Sequence, residues 1–226
     1  VEKGSLVAAL VNVVGSTIAR ETSRGIYLHA GPEISVASTK AFTSQVSVLL
    51  MIALKLARAH RLSREEGIKI AAEIERIPEL VKTVLATNDQ IAEIAAHYAD
   101  YNNAFYIGRG YMYPVALEGA LKLKEISYIH AEGYHAAELK HGPIALLEES
   151  MPVIALLNQG PGQEKTLSNV AECKARSAPV LGVITEGDEE ARDACDHVIE
   201  IPSCPQYSSV VPAAVALQLL SYHIAR

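Results

Sequence analysis

From Ala104 onward the chain alternates short, largely apolar runs with stretches of helical periodicity, and that alternation limits its fold more than any other feature. The apolar runs are Ala104 to Ile107, Pro152 to Leu157, Val180 to Thr185 and His197 to Ile201. Helical segments lie between and after them, at Pro114 to Ile126, Glu164 to Arg176 and Ser208 to Ala225. Strands that lack polar alternation are buried on both faces, which happens when helical crossovers cover a parallel sheet. The pattern predicts an α/β fold built on a parallel, doubly wound sheet flanked by helices. In such sheets ligands lie beyond the carboxyl ends of the strands, so the loops after Ile107, Leu157 and Thr185 are where chemistry is to be sought first.

The preceding hundred residues read differently. Leu6 to Val14 and Ile26 to Ala30 are two short strands, separated by Gly15-Ser16 and the polar stretch Arg20 to Gly25. After Gly31-Pro32, Ser38 and Thr39 offer N-caps for a long helix through Thr43, Val46, Leu50 and Leu54. That helix is apolar on most faces and is expected near the centre of the fold. Its apolar run, Val46 through Leu54 and past Lys55 to Ala57, falls short of the roughly 20 residues a bilayer requires, so no membrane span is expected. A second helix opens at Ser63, with Glu66 three residues on as a capping box, and passes Pro78 to reach Leu85. A shorter one covers Asp89 to Tyr98, and the polar stretch Asp100 to Asn103 marks the expected boundary between a domain over 1–100 and another over 101–226.

Composition removes several function classes. A formal charge of -6 offers no general attraction to nucleic-acid phosphates or anionic lipid, so neither is expected as a partner. Cys173, Cys195 and Cys204 form no CxxC pair and have no His at ligand spacing, which predicts free thiols in a reducing compartment, the cytoplasm, and no metal site. Residue 1 is Val, with neither a basic segment nor a cleavage site after it, so the chain reads as truncated.

Three motifs remain. Gly108-Arg109-Gly110 sits between a strand and a helix, but Pro114 and Val115 stand where a dinucleotide fingerprint needs its third glycine, and no nucleotide cofactor is expected. Glu118, Lys122 and Glu125 recur at i, i+4 and i+7 and therefore share one helix face. Such a face is either solvated or a place where two carboxylates and an ammonium meet a ligand, the ammonium holding one carboxylate charged while another serves as a base. Aldose–ketose isomerisation needs such a base, to take a proton from C1 and return it to C2. Tyr134 to Pro143 is a polar cluster closed by Gly142-Pro143; within it His141 is suited to opening a sugar ring by proton transfer, or else bonds a backbone carbonyl at a helix end.

The runs Leu117 to Glu132 and Glu138-Leu139-Lys140-His141-Gly142-Pro143, together with Ala30 to Ala41, resemble the glutamine:fructose-6-phosphate aminotransferase (isomerizing) family over essentially the whole chain. The resemblance implies two sugar-isomerase (SIS) domains, each a parallel doubly wound sheet flanked by helices, with the first incomplete, in a homodimer whose sites borrow residues from the neighbouring subunit. By the same resemblance Glu125 matches the isomerisation base, Lys122 and Glu118 its helix partners, and His141 a ring-opening histidine supplied across the dimer. Val36 and Ser38, with Ala37 between them, match first-domain positions that contact the sugar. Fructose 6-phosphate and glucosamine 6-phosphate are the implied substrate and product, and a glutaminase domain the implied ammonia source. The family's phosphate-cradling Ser/Thr loop and Schiff-base lysine are expected before Val1 and beyond Arg226. Alternatives are another SIS sugar-phosphate deaminase or deglycase, or a non-catalytic sugar-phosphate sensor.

Overall fold

The computed structural model describes residues 4–22 and 24–226, and the chain divides after Ile68 into two compact units. In the first, strands β1 (Ala9–Val11) and β2 (Gly25–Tyr27) pair in parallel on either side of helix α1 (Thr17–Thr22), and helix α2 spans Lys40–His60. Asn12 ties the end of β1 to the loop ahead: its Nδ2 donates to the Gly31 carbonyl at 2.6 Å and its Oδ1 accepts from the Ala30 N–H at 3.0 Å.

Thr39 is the N-cap of α2, as expected, but no side chain at that position caps the helix. Glu33 does so from six residues upstream, its Oε1 accepting from the Thr39 and Ala41 N–H groups at 2.9 and 3.0 Å. Burial opposes ionisation of Glu33, yet those N–H groups, the Ser38 hydroxyl and Lys40 together hold its carboxyl below the usual range.

The expected central position of α2 is not what the fold shows. Val48 is its one buried residue, while Leu49, Met51 and Leu56 are about half exposed. All-round apolarity signals a need for cover, and the described unit supplies only a two-stranded sheet and a six-residue helix to meet it. The length reading also changes, because the helix continues past both ends of the apolar run, from Lys40 to His60; at 21 residues α2 is long and apolar enough to cross a bilayer by length and composition.

Helix α3 (Arg64–Ala86) opens with the expected capping box: the Ser63 Oγ accepts from the Glu66 N–H at 3.2 Å, and Glu66 Oε2 accepts from the Ser63 N–H at 3.1 Å. Pro78 sits within α3 without ending it. Helix α4 (Asn88–Ala96) follows. Both lie before the sequence-based boundary at 100–103 yet fall almost wholly in the second unit, where α4 buries Ile91 and Ala95 and packs along α8, the last helix (Gln206–Ile224).

The second unit is built on five parallel strands: β3 (Asn103–Gly108), β4 (His130–His135), β5 (Val153–Leu157), β6 (Val180–Thr185) and β7 (His197–Ile201), in the order β4-β3-β5-β6-β7. Chain order reverses between β3 and β5, the switch point of a doubly wound sheet. Helices α6 (Gln163–Lys174) and α7 (Glu189–Asp193) cover the face that carries Phe105, Ile107, Ala155 and Leu157. Helix α5 (Met112–Ser127) and α8 cover the other, and α8, apolar all round, is buried between α4 and α5. Strand β4 is the element the periodicity did not reveal. It lies at the sheet edge and reads His-Ala-Glu-Gly-Tyr-His, with a single buried residue, Ala131.

Candidate active site

Helix α5 leaves the carboxyl end of β3 and runs back along the sheet, so its last turns lie towards the amino ends of the strands. Leu123 accordingly lines the same small cavity as Asn103, Ala104 and Pro152, which begin or precede β3 and β5. The Glu118/Lys122/Glu125 face is therefore set on the flank of the sheet, away from the loops after Ile107, Leu157 and Thr185. Those loops carry other polar contacts. Arg109 Nη2 donates to Asn169 Oδ1 at 2.9 Å, Gln159 N–H donates to Thr185 Oγ1 at 3.0 Å, and Tyr113 meets His135 edge-on with ring centres 5.6 Å apart.

The three residues of the shared face do converge. Lys122 Nζ donates to Glu125 Oε2 at 2.6 Å and stands 3.5 Å from Glu118 Oε1, a distance at which attraction is coulombic rather than a hydrogen bond. The solvated-face reading fails on burial: the side chains of Lys122, Glu118 and Glu125 are 4 %, 12 % and 28 % exposed. A lysine so enclosed is stable as an ammonium only because carboxylates flank it. Burial raises the Glu118 carboxyl above its ordinary pKa; Lys122 pulls it back and the Glu125 charge pushes it up again. Of the two carboxylates, Glu125 is the more reachable, and it is the one with the short contact to the ammonium. The site thus sets one accessible carboxylate against a buried cationic partner.

His141 ends a 3-10 turn, Ala136–His141, that follows β4, and it is exposed. Among the described residues no hydrogen bond or ion pair joins it to Glu118, Lys122 or Glu125. Val36, Ala37 and Ser38 lie in the first unit, in the loop ahead of α2 that Glu33 braces; Val36 is fully exposed, Ala37 buried and Ser38 half-buried. No set of three or more His, Cys, Asp or Glu side chains close enough to hold a metal occurs among the described residues. Burial pushes the Cys173 and Cys195 thiols up to about 12, which keeps them protonated.

The SIS domain model matches residues 1–55 and 97–225, most of the chain. The chain belongs to the SIS domain family. The first matched segment takes in β1, β2 and most of α2, so the apolar helix is part of a SIS domain match, and the second covers the whole five-stranded sheet. The chain is 52 % identical over 224 residues to the glutamine–fructose-6-phosphate aminotransferase [isomerizing] of Chlorobaculum tepidum and 50 % identical to that of Bacteroides thetaiotaomicron. Each alignment covers 99 % of this chain and 36 % of the relative, so the chain spans little more than a third of the proteins it matches. Among solved structures, the C-terminal domain of glucosamine-fructose-6-phosphate aminotransferase from Francisella tularensis superposes with a TM-score of 0.92 at 39 % identity, over 96 % of this chain and 62 % of that one. The SIS fold drawn from the sequence, a parallel sheet with flanking helices, is the fold found.

Proposed function

We propose that this chain is the sugar-phosphate isomerase portion of a glutamine–fructose-6-phosphate aminotransferase, with 1–100 and 101–226 contributing to two successive SIS domains. The observation that carries the reading is the enclosed Lys122 ammonium between Glu118 and Glu125, on a chain about half identical to enzymes of that name. Fructose 6-phosphate is opened to its chain form by His141, brought to the site from the second subunit of a homodimer, which accords with its exposure and its lack of ties to the α5 cluster. Ammonia, released from glutamine by a glutaminase domain of the full-length protein, condenses with the C2 carbonyl to give an imine and water. Glu125 takes a proton from C1 as the imine nitrogen gains one, giving an enolamine, and the same carboxyl returns the proton to C2 as the C1 hydroxyl gives up its own, leaving glucosamine 6-phosphate in its aldehyde form. Lys122 holds the Glu125 carboxylate in place through its 2.6 Å hydrogen bond, and Glu118 balances the ammonium from the buried side. Val36, Ala37 and Ser38 contact the sugar, and the cell compartment is the cytoplasm.

The direct test supplies the full-length protein with fructose 6-phosphate and either glutamine or ammonium, and follows glucosamine 6-phosphate. Formation from both nitrogen sources is expected. Ketose–aldose interconversion with no nitrogen incorporated would replace this reading with that of a simple phosphosugar isomerase.

A further inference from the structure

Three consecutive residues of α5, Leu117, Glu118 and Gly119, are gripped between contacts too close to admit a side chain. On one side Gly133 of β4 faces Leu117, where an added Cβ would stand 2.8 Å from the Leu117 Cα and 2.9 Å from its nitrogen. On the other, a Cβ on Gly119 would stand 2.5 Å from Leu217 Cδ1 of α8 and 2.9 Å from Tyr106 Cε1 of β3. Neither glycine has a positive φ, so proximity and not backbone conformation demands it. Glycine inside a helix weakens that helix relative to alanine, which makes its place beside Glu118 costly unless the contact itself is needed. The walls are rigid: Tyr106 is fully buried and Leu217 almost so, and closely packed interiors pass displacement on instead of absorbing it.

We infer that Gly119 and Gly133 are positioning residues, a close-packed seat that sets the depth of α5 against β3, β4 and α8 and thereby the placement of the Glu118, Lys122 and Glu125 charges. The inference rests on reading that face as the isomerisation site. Glu118 adjoins Gly119, and Lys122 and Glu125 follow within two turns, so lifting the helix at Gly119 moves all three together. A displacement of about 1 Å at reacting groups costs on the order of 100-fold in rate.

The test compares Gly119→Ala, Leu217→Ala and the double variant in the full-length protein, measuring kcat and KM for fructose 6-phosphate, thermal stability, and the carboxyl 13C signals of Glu118 and Glu125 without substrate. Gly119→Ala is expected to lower kcat about 10- to 100-fold, to leave KM within about threefold, and to shift both carboxyl signals. Leu217→Ala removes the closer wall and opens space into which the Tyr106 ring, the wall at 2.9 Å, can yield, so the double variant should regain activity to within about fivefold of Leu217→Ala alone while being less stable than the wild type. Recovery of rate against falling stability is a result that a merely structural role would not produce. If Gly119→Ala alone does not fold, the double variant still decides: folded, with rate and carboxyl signals near those of Leu217→Ala, supports the seat, and folded but inactive overturns it. Gly119→Ala with wild-type kcat and unmoved signals also overturns it. Wild-type protein that does not turn over fructose 6-phosphate would overturn the functional reading instead, and the substrate-free carboxyl signals would then judge the seat on their own.

Discussion

Replacing Lys122 by methionine keeps the aliphatic stem and removes the ammonium that two carboxylates share. The ammonium is 2.6 Å from Glu125 and 3.5 Å from Glu118, so attraction is strong, but the ions have also lost water, and the two effects largely offset. What the variant must bear is a buried Glu118 with no counterion beside a second carboxylate. The cheaper escape is protonation of Glu118. From an ordinary carboxyl pKa of 4.5 to pH 7 that costs 2.5 units, about 3.4 kcal/mol, which is a ceiling on the loss through this route. At pH 5 the same step costs about 0.7 kcal/mol. The sign follows: a carboxyl whose folded pKa is raised lends stability below its unfolded pKa and loses it as pH rises through the folded one. Lys122→Met should therefore destabilise the second unit by about 3 kcal/mol at pH 7 and by less than about 1 kcal/mol at pH 5. Hydrogen exchange of β3 and α5 amides, in wild type and variant at pH 5, 6 and 7, reads this directly. A loss that is the same at all three pH values, or below about 1 kcal/mol at pH 7, would refute the claim that the ammonium compensates a buried carboxylate.

Three further outcomes follow from the same geometry. His97 and His197 stack with ring centres 4.4 Å apart, and burial, then His97, hold His197 below its ordinary pKa of 6.5 although Asp196 pulls the other way. Stability from a lowered histidine is present above 6.5 and lost as pH falls through the folded value, so the protection of α4 amides relative to their intrinsic exchange rates should fall on acidification, and less so in His97→Gln. Inactive Glu125→Gln and His141→Ala subunits, once mixed, should regain activity through sites with both groups intact; heterodimers that form yet stay inactive would place His141 outside this role. Cys173 and Cys195, with thiols pushed up to about 12, should resist iodoacetamide at pH 8 in the native protein, as peptide mass spectrometry would show.

Strands β3, β5 and β6 were legible because a strand covered on both faces has no polar alternation to obscure it, and the edge strand β7 because Val198, Ile199 and Ile201 still give it an apolar run. Strand β4 was not, since an edge strand with one buried residue carries the composition of a loop. The i, i+4, i+7 spacing put Glu118, Lys122 and Glu125 on one face, and the structure brings them together. Their distance from the strand carboxyl ends was hidden, because periodicity fixes a helix face and not where along the sheet the helix turns lie. The start of α2 was read at the right place for the wrong reason: Thr39 is the N-cap, but Glu33 supplies the acceptor from outside the range in which a local capping signal is sought. The apolarity of α2 was legible as well, but what covers such a helix depends on the elements beside it and not on its own residues. Gly119 and Gly133 carry no signal in a single sequence, since the contact that requires each comes from elsewhere in the chain.

The central claim is that Glu125 moves the proton between C1 and C2 of the sugar. Full-length wild-type protein and Glu125→Gln, each given fructose 6-phosphate and ammonium in D2O, should differ in one respect above all. The wild type should place solvent deuterium at C2 of glucosamine 6-phosphate and exchange it at C1 of the recovered substrate, while the variant, still binding fructose 6-phosphate within a few-fold, should do neither. A variant that binds the sugar and exchanges at the wild-type rate would contradict the account.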